Sequence, residues 1–121
     1  MTTSSVSPVT IELAGSETGI TLVIHAGAGS RGKHSTPERI AQVELDLQRA
    51  LDAGYQLLES GAPAYEAVVA AIHVMEDAPE FNAGRGAALT SDGTAQMDAC
   101  LMTGDGEVGA VTGVSTVKNP I

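Results

Sequence analysis

Apolar residues recur along this chain with more than one spacing. Residues 20–26, Ile-Thr-Leu-Val-Ile-His-Ala, are a short apolar run suited to a buried strand. Residues 27–35 are small, polar and glycine-rich and read as a loop. Thr36 and Pro37 then make a helix start. The Thr36 hydroxyl can cap an orphan amide, and Pro37 at the first helical position lacks only a donor that no helix would use. Ile40, Val43, Leu47, Ala50, Leu51, Gly54 and Leu58 follow on one helical face, with Glu44, Arg49, Asp52 and Glu59 outside that stripe. Gly54 weakens the helix by roughly 1 kcal/mol relative to Ala and permits close packing. Gly61 ends this helix and Pro63 opens a second, whose stripe is Val68, Val69, Ile72 and Met75 and which stops before Pro79.

The period then changes. Ala87 to Thr90 reads as a short strand, and Ser91-Asp92-Gly93 as a turn. Residues 95–102 alternate, with Ala95, Met97, Ala99 and Leu101 on one side and Gln96, Asp98, Cys100 and Met102 on the other. Gly104-Asp105-Gly106 is a second turn, and Val108 to Val117 a third strand, thinned by Gly109 and Gly113. The order is strand, helix, helix, meander. That is an α+β arrangement and not the strict alternation of a doubly wound parallel sheet. Residues 1–19, rich in Ser and Thr and without a sustained period, read as a flexible leader before a domain portion at 20–121. No capping element follows the last strand, so we expect the chain to be a fragment, its meander lacking edge partners.

Composition narrows the function. The chain has 121 residues, enough for one domain or part of one. With 43% apolar and 17% charged residues, disorder throughout is excluded. Aromatics are limited to Phe81, Tyr55 and Tyr65, so Ala, Val, Leu and Ile must build the core. Six Lys+Arg against fifteen Asp+Glu give a net charge of −9, which repels phosphate backbones and anionic lipid. Nucleic-acid and membrane partners are therefore not expected. No run approaches the about 18 apolar residues of a membrane span, and the N-terminus lacks a secretory pattern, so the cytoplasm is the default location. Cys100 is the single cysteine, which excludes an intrachain disulfide and a zinc site of several thiolates; on an alternating strand it is expected to be buried and inert.

Candidate chemistry begins with Gly27-Ala28-Gly29-Ser30-Arg31-Gly32, which fits G-x-G-x-x-G after a strand. A dinucleotide site needs a helix to begin within that loop, whereas the best helix start is Thr36-Pro37. The same stretch nearly forms a phosphate-binding loop ending at Gly32-Lys33, but His34 replaces the hydroxyl that would hold magnesium. The spacings of His25, His34 and His73 match no metal motif. Asp98 on an otherwise apolar strand must find donors or raise its pKa, and a structural anchor is the expected role.

Four motifs in order are more specific. They are His25-Ala26-Gly27-Ala28-Gly29, Phe81-Asn82-Ala83-Gly84-Arg85-Gly86, Met97-Asp98-Ala99, and Gly109-Ala110-Val111 with Asn119-Pro120 after it. Together they resemble the plant-type L-asparaginase and isoaspartyl peptidase family of N-terminal-nucleophile hydrolases, over about residues 20–121. The resemblance implies an αββα four-layer sandwich, two antiparallel sheets between helices, incomplete in this chain. It implies a precursor that cuts itself, freeing a Thr whose own amine is the general base. That Thr would lie beyond residue 121, so no catalytic residue is expected here, and the chain alone is expected to be inactive.

Glu107-Val108-Gly109-Ala110-Val111 is similar to the family's processing motif, but Glu107 stands at the Thr position and lacks the attacking hydroxyl. Thr90 and Thr112 have blocked amines. The resemblance further implies a cation loop whose backbone carbonyls, at Met75, Glu76, Ala78, Phe81, Ala83 and Arg85, hold sodium or potassium without doing chemistry. Asn82 would lie near the nucleophile, and Gly27 beside the processing site. Ala26 stands where the usual pattern has Gly, and its methyl restricts positive φ. No organic cofactor is implied. Implied partners are asparagine or a β-aspartyl dipeptide as substrate, the missing C-terminal portion, and a second αβ unit in a dimer. Two other readings stay open: a nucleotide-binding protein using Gly27 to Lys33, and a non-catalytic α+β domain.

Overall fold

The computed structural model describes residues 19–26 and 36–121. The leader and the loop containing Gly27, Lys33 and His34 lie outside the described residues, apart from Gly19 at the leader's end.

Helix α1 spans Pro37–Glu59. Its start follows the local signal, because Thr36 is extended and its Oγ1 accepts the Arg39 N–H at 3.3 Å. Gly61, at φ +84°, turns the chain after Ser60. Helix α2 spans Ala64–Asp77 behind Pro63 and stops at the extended Ala78, just before Pro79.

The two helices cross where Gly54 faces α2. A Cβ on Gly54 would lie 2.8 Å from the Ala67 carbonyl oxygen and 2.7 Å from Leu22 Cδ2. Backbones this close admit only small side chains between them. The buried face of α2 is accordingly Ala67, Ala71 and Met75, whereas Val68, expected on the stripe, is 37% exposed. Leu47 and Ala50 of α1, Ala71 and Met75 of α2, and Ala78 and Phe81 of the loop beyond make the core cluster. Ile24 and Ala26 pack against it, so residues 20–26 do cover the helices. They are extended, with Ile20, Leu22, Ile24 and Ala26 turned inward and Thr21, Val23 and His25 outward. The expected strand is not formed, because this segment has no ladder partner among the described residues.

Strand β1 (Met97–Met102) pairs antiparallel with β2 (Val108–Val114), Cys100 opposite Ala110 and Met102 opposite Val108. The turn is closed by Thr103, whose N–H donates to the Glu107 carbonyl at 2.9 Å and whose Oγ1 accepts the Glu107 N–H at 3.2 Å. Glu107 is thus an internal turn residue. The expected strand at Ala87 to Thr90 reduces to one bridge, Leu89 with Ala95. The third strand ends at Val114, short of Val117, just after Gly113 adopts φ +64° and leaves the extended region. Met97 is buried and Ala99 and Leu101 half-buried, but the opposite face is open. Cys100 therefore is exposed, contrary to expectation. No described helix is long and apolar enough to cross a membrane.

Candidate functional site

Of the expected site residues, those from Met75 to Arg85 lie where α2 ends, and Gly27 is outside the described residues. Phe81, 6% exposed, pins the loop into the core, so the neighbouring Asn82 projects outward. Asn82 Oδ1 accepts the Ala88 N–H at 2.7 Å. The side chain is thereby fixed by its acceptor end, and its donor end has no partner among the described residues. Between them, Gly84 to Gly86 make a single 3-10 turn, closed by Gly86 N–H on the Ala83 carbonyl at 3.0 Å.

Two glycines shape the loop. Gly84, at φ +49°, lies against Glu76: an added Cβ would come within 2.6 Å of Glu76 Cβ and closer still to the Glu76 carbonyl oxygen. At Gly86 an added Cβ would strike the carbonyl oxygens of Phe81 and Pro79. Three carbonyls thus crowd around two residues that must lack side chains. Glu76 and Phe81 belong to the expected cation set. Pro79 does not; from the sequence it is a helix stop and, with Gly84, a residue that can hold the loop's shape. The Met75 carbonyl already accepts the Ala78 N–H at 3.3 Å, but a carbonyl oxygen has a second lone pair. No three His, Cys, Asp or Glu side chains come together as metal ligands among the described residues.

Ion pairs and hydrogen bonds anchor the loop on two sides. Arg39 Nε meets Glu80 Oε2 at 2.7 Å and ties it to the start of α1. The Glu76 carboxylate, 3% exposed, accepts Asn119 Nδ2 at 3.0 Å and the Ile121 N–H at 3.3 Å. Lys118 Nζ lies 2.7 Å from Asp77 Oδ1, and Asn119 also reaches Asp77 at 3.2 Å. These donors hold the Asp77 carboxyl below its usual range. The seating of residues 118–121 on α2 is absent from the expectations above, in which Asn119 figures only as part of a motif.

On the hairpin, Asp98 accepts Thr112 Oγ1 at 2.7 Å and the Gly113 N–H at 2.8 Å. Both donors hold its carboxyl below the ordinary range. It anchors the irregular step of the ladder between Met97 and Ala99. The pair superficially resembles a hydroxyl with its base. A carboxylate stabilised in its charged form is a poor proton acceptor, however, and the Thr112 amine is locked in a peptide bond. Ala26 packs against the core, and no described non-glycine residue has positive φ, so its methyl is unstrained.

Residues 18–121 match the family described as Asparaginase. The plant-type L-asparaginase of Pyrococcus abyssi is 46% identical over 103 residues, covering 84% of this chain and 32% of that protein. The isoaspartyl peptidase of Escherichia coli is 40% identical over 103 residues, covering 83% and 32%. The isoaspartyl peptidase/L-asparaginase of Bos taurus is 41% identical over 101 residues, again covering 83% and 32%. The chain therefore spans about a third of the length of the curated relatives it matches. These matches take in the α+β piece and all four motifs in their order along the chain. With a match running through all of its described residues, the chain belongs to the asparaginase family. Its helices and two-stranded sheet conflict with nothing in that fold.

Proposed function

We propose that residues 20–121 are the N-terminal part of an αββα amidohydrolase acting on L-asparagine, isoaspartyl peptides, or both. The observation that carries the reading is the 40–46% identity to relatives bearing those two names, confined to about a third of their length. The nucleophile is a Thr outside these residues, freed by autoproteolysis. Its Oγ attacks the amide carbon while its own α-amine takes the proton. The amine then returns that proton to the departing nitrogen, and water hydrolyses the resulting acyl-enzyme ester. Asn82, held at Oδ1 by the Ala88 N–H, uses its Nδ2 to orient the reacting hydroxyl or stabilise developing negative charge.

The loop from Met75 to Arg85 binds sodium or potassium through the carbonyls of Met75, Glu76, Ala78, Phe81, Ala83 and Arg85. Neutral oxygens crowded beside Gly84 and Gly86 suit a hard monovalent ion. When bound, the ion stiffens the loop and does no bond-making. Gly27 lies beside the processing peptide, the working unit is a cytoplasmic dimer of αβ pairs, and no organic cofactor takes part.

Ammonia release from L-asparagine and aspartate release from a β-aspartyl dipeptide test the reading. The full-length protein should give one or both, and residues 1–121 alone neither. Activity in the 121-residue chain would overturn it. Asn82→Ala in the full-length protein should lower kcat by at least about 100-fold, the scale of one lost hydrogen-bond donor at a transition state, with little loss of stability.

A further inference from the structure

We propose that Glu76 is a positioning residue that couples the seated segment Lys118 to Ile121 to the loop carrying Asn82. The proposal rests on the role given to Asn82 above. Helix α2 ends in Glu76 and Asp77 with no basic residue in its last turn. Carboxylates at the C-terminal end of a helix oppose its dipole, and one of these is 3% exposed. Such a group persists only if donors reach it. Residues 118–121 supply them: Asn119 Nδ2 and the Ile121 N–H occupy the two oxygens of Glu76, while Lys118 neutralises Asp77.

Remove that segment, and the Glu76 carboxylate is left buried without its donors and must turn to water. The movement is not free of consequence, because Gly84 is packed on the Glu76 backbone and Cβ with no room even for a methyl group. Displacing Glu76 therefore displaces the turn from Ala83 to Gly86. Asn82 immediately precedes that turn, and the Ala88 amide that holds its Oδ1 follows it. One side chain thus reads the seating of a segment more than 40 residues away, while its backbone sets the base of the Asn82 loop.

The experiment is residue-resolved amide hydrogen exchange on the full-length protein, with kcat and KM measured on the same samples. Asn119→Asp sets a third carboxylate against Glu76 and Asp77. It should speed exchange at Ile121 and also at Gly86, Ala87 and Ala88 by about tenfold or more, with Leu51 of α1 unchanged. The double variant Glu76→Gln/Asn119→Asp exchanges donor for acceptor and should bring Ala88 back to within about threefold of wild type. If Asn119→Asp loosens Leu51 as well, Asn119→Ala, which removes the donor without adding charge, is read in the same way. Faster exchange at Ile121 with Ala88 unchanged overturns the coupling, whatever kcat does. Faster exchange at Ala88, reversed by the double variant, establishes it. A kcat that falls alongside, at constant KM, supports the Asn82 role; a kcat that holds removes that role and leaves the coupling standing.

Discussion

Gly54→Ala sets two ordinary effects against each other, and the structure decides between them. Within a helix, replacing Gly by Ala is worth about 0.8–1 kcal/mol in favour of folding. At most helical positions that term wins. Here the new methyl would sit 2.7 Å from Leu22 Cδ2, 2.8 Å from the Ala67 carbonyl oxygen and 3.4 Å from Ala71 Cβ. The leucine methyl can swing away at little cost. The Ala67 oxygen cannot, because it is backbone inside α2, and relieving it requires the helices to separate. Overpacking of this kind costs about 1–3 kcal/mol, and a backbone clash belongs at the upper end. The expected result is a net loss of about 1–2 kcal/mol. Urea unfolding of wild type and variant measures it as a lower midpoint at constant slope. A variant more stable by about 1 kcal/mol would mean that propensity alone acts at residue 54, and the close crossing of α1 and α2 would be refuted.

The helix cap and the hairpin carboxylate give two further expectations. Thr36→Ala removes the acceptor of the Arg39 N–H and should cost about 1 kcal/mol by the same unfolding assay, with Thr36→Ser nearly neutral; equal losses for both would deny the cap its role. Asp98 is held below its ordinary pKa by Thr112 and Gly113, so the folded hairpin binds the proton less readily than the unfolded chain. Its stabilising effect is present in full above about pH 4, where an unfolded aspartate is ionised, and is lost as the pH falls through the lower folded value. The Gly113 amide shift followed by NMR should titrate below about pH 4, and Asp98→Asn should abolish that step; a midpoint at or above about 4 refutes the argument.

Both helices were legible because their limits are written locally. Thr36-Pro37, Gly61, Pro63 and Pro79 each act within a turn of where they stand, and the structure places the boundaries beside them. The turn at Thr103 to Glu107 is equally local. What failed was any inference that needed to know what covers a surface. Alternation along β1 separates two faces but does not say which is covered, so Cys100 was expected inside and lies outside. Residues 20–26 have a strand's alternation, yet a ladder needs a partner that no pattern supplies. Val68 outranks Ala67 in apolarity, but the approach at Gly54 selects for size, and the smaller residue is buried.

The site divides the same way. Asn82 and its Ala88 partner are six residues apart, and their bond is a short-range loop contact of the kind Asn makes in turns. Glu76 meets Asn119 and Ile121 across 43 and 45 residues, beyond any rule of spacing. Yet the contact left one mark in the sequence. A helix that ends in two acids, with no base in its last turn, contradicts its own electrostatics. A natural sequence resolves such a conflict through contacts that are not local. The misplaced charge could therefore have been read as a demand for cationic or N–H donors from elsewhere in the chain. Among the few basic residues, Lys118 stands beside an amide side chain that supplies the rest. Local inconsistency is the form in which a distant contact becomes visible before any coordinates exist.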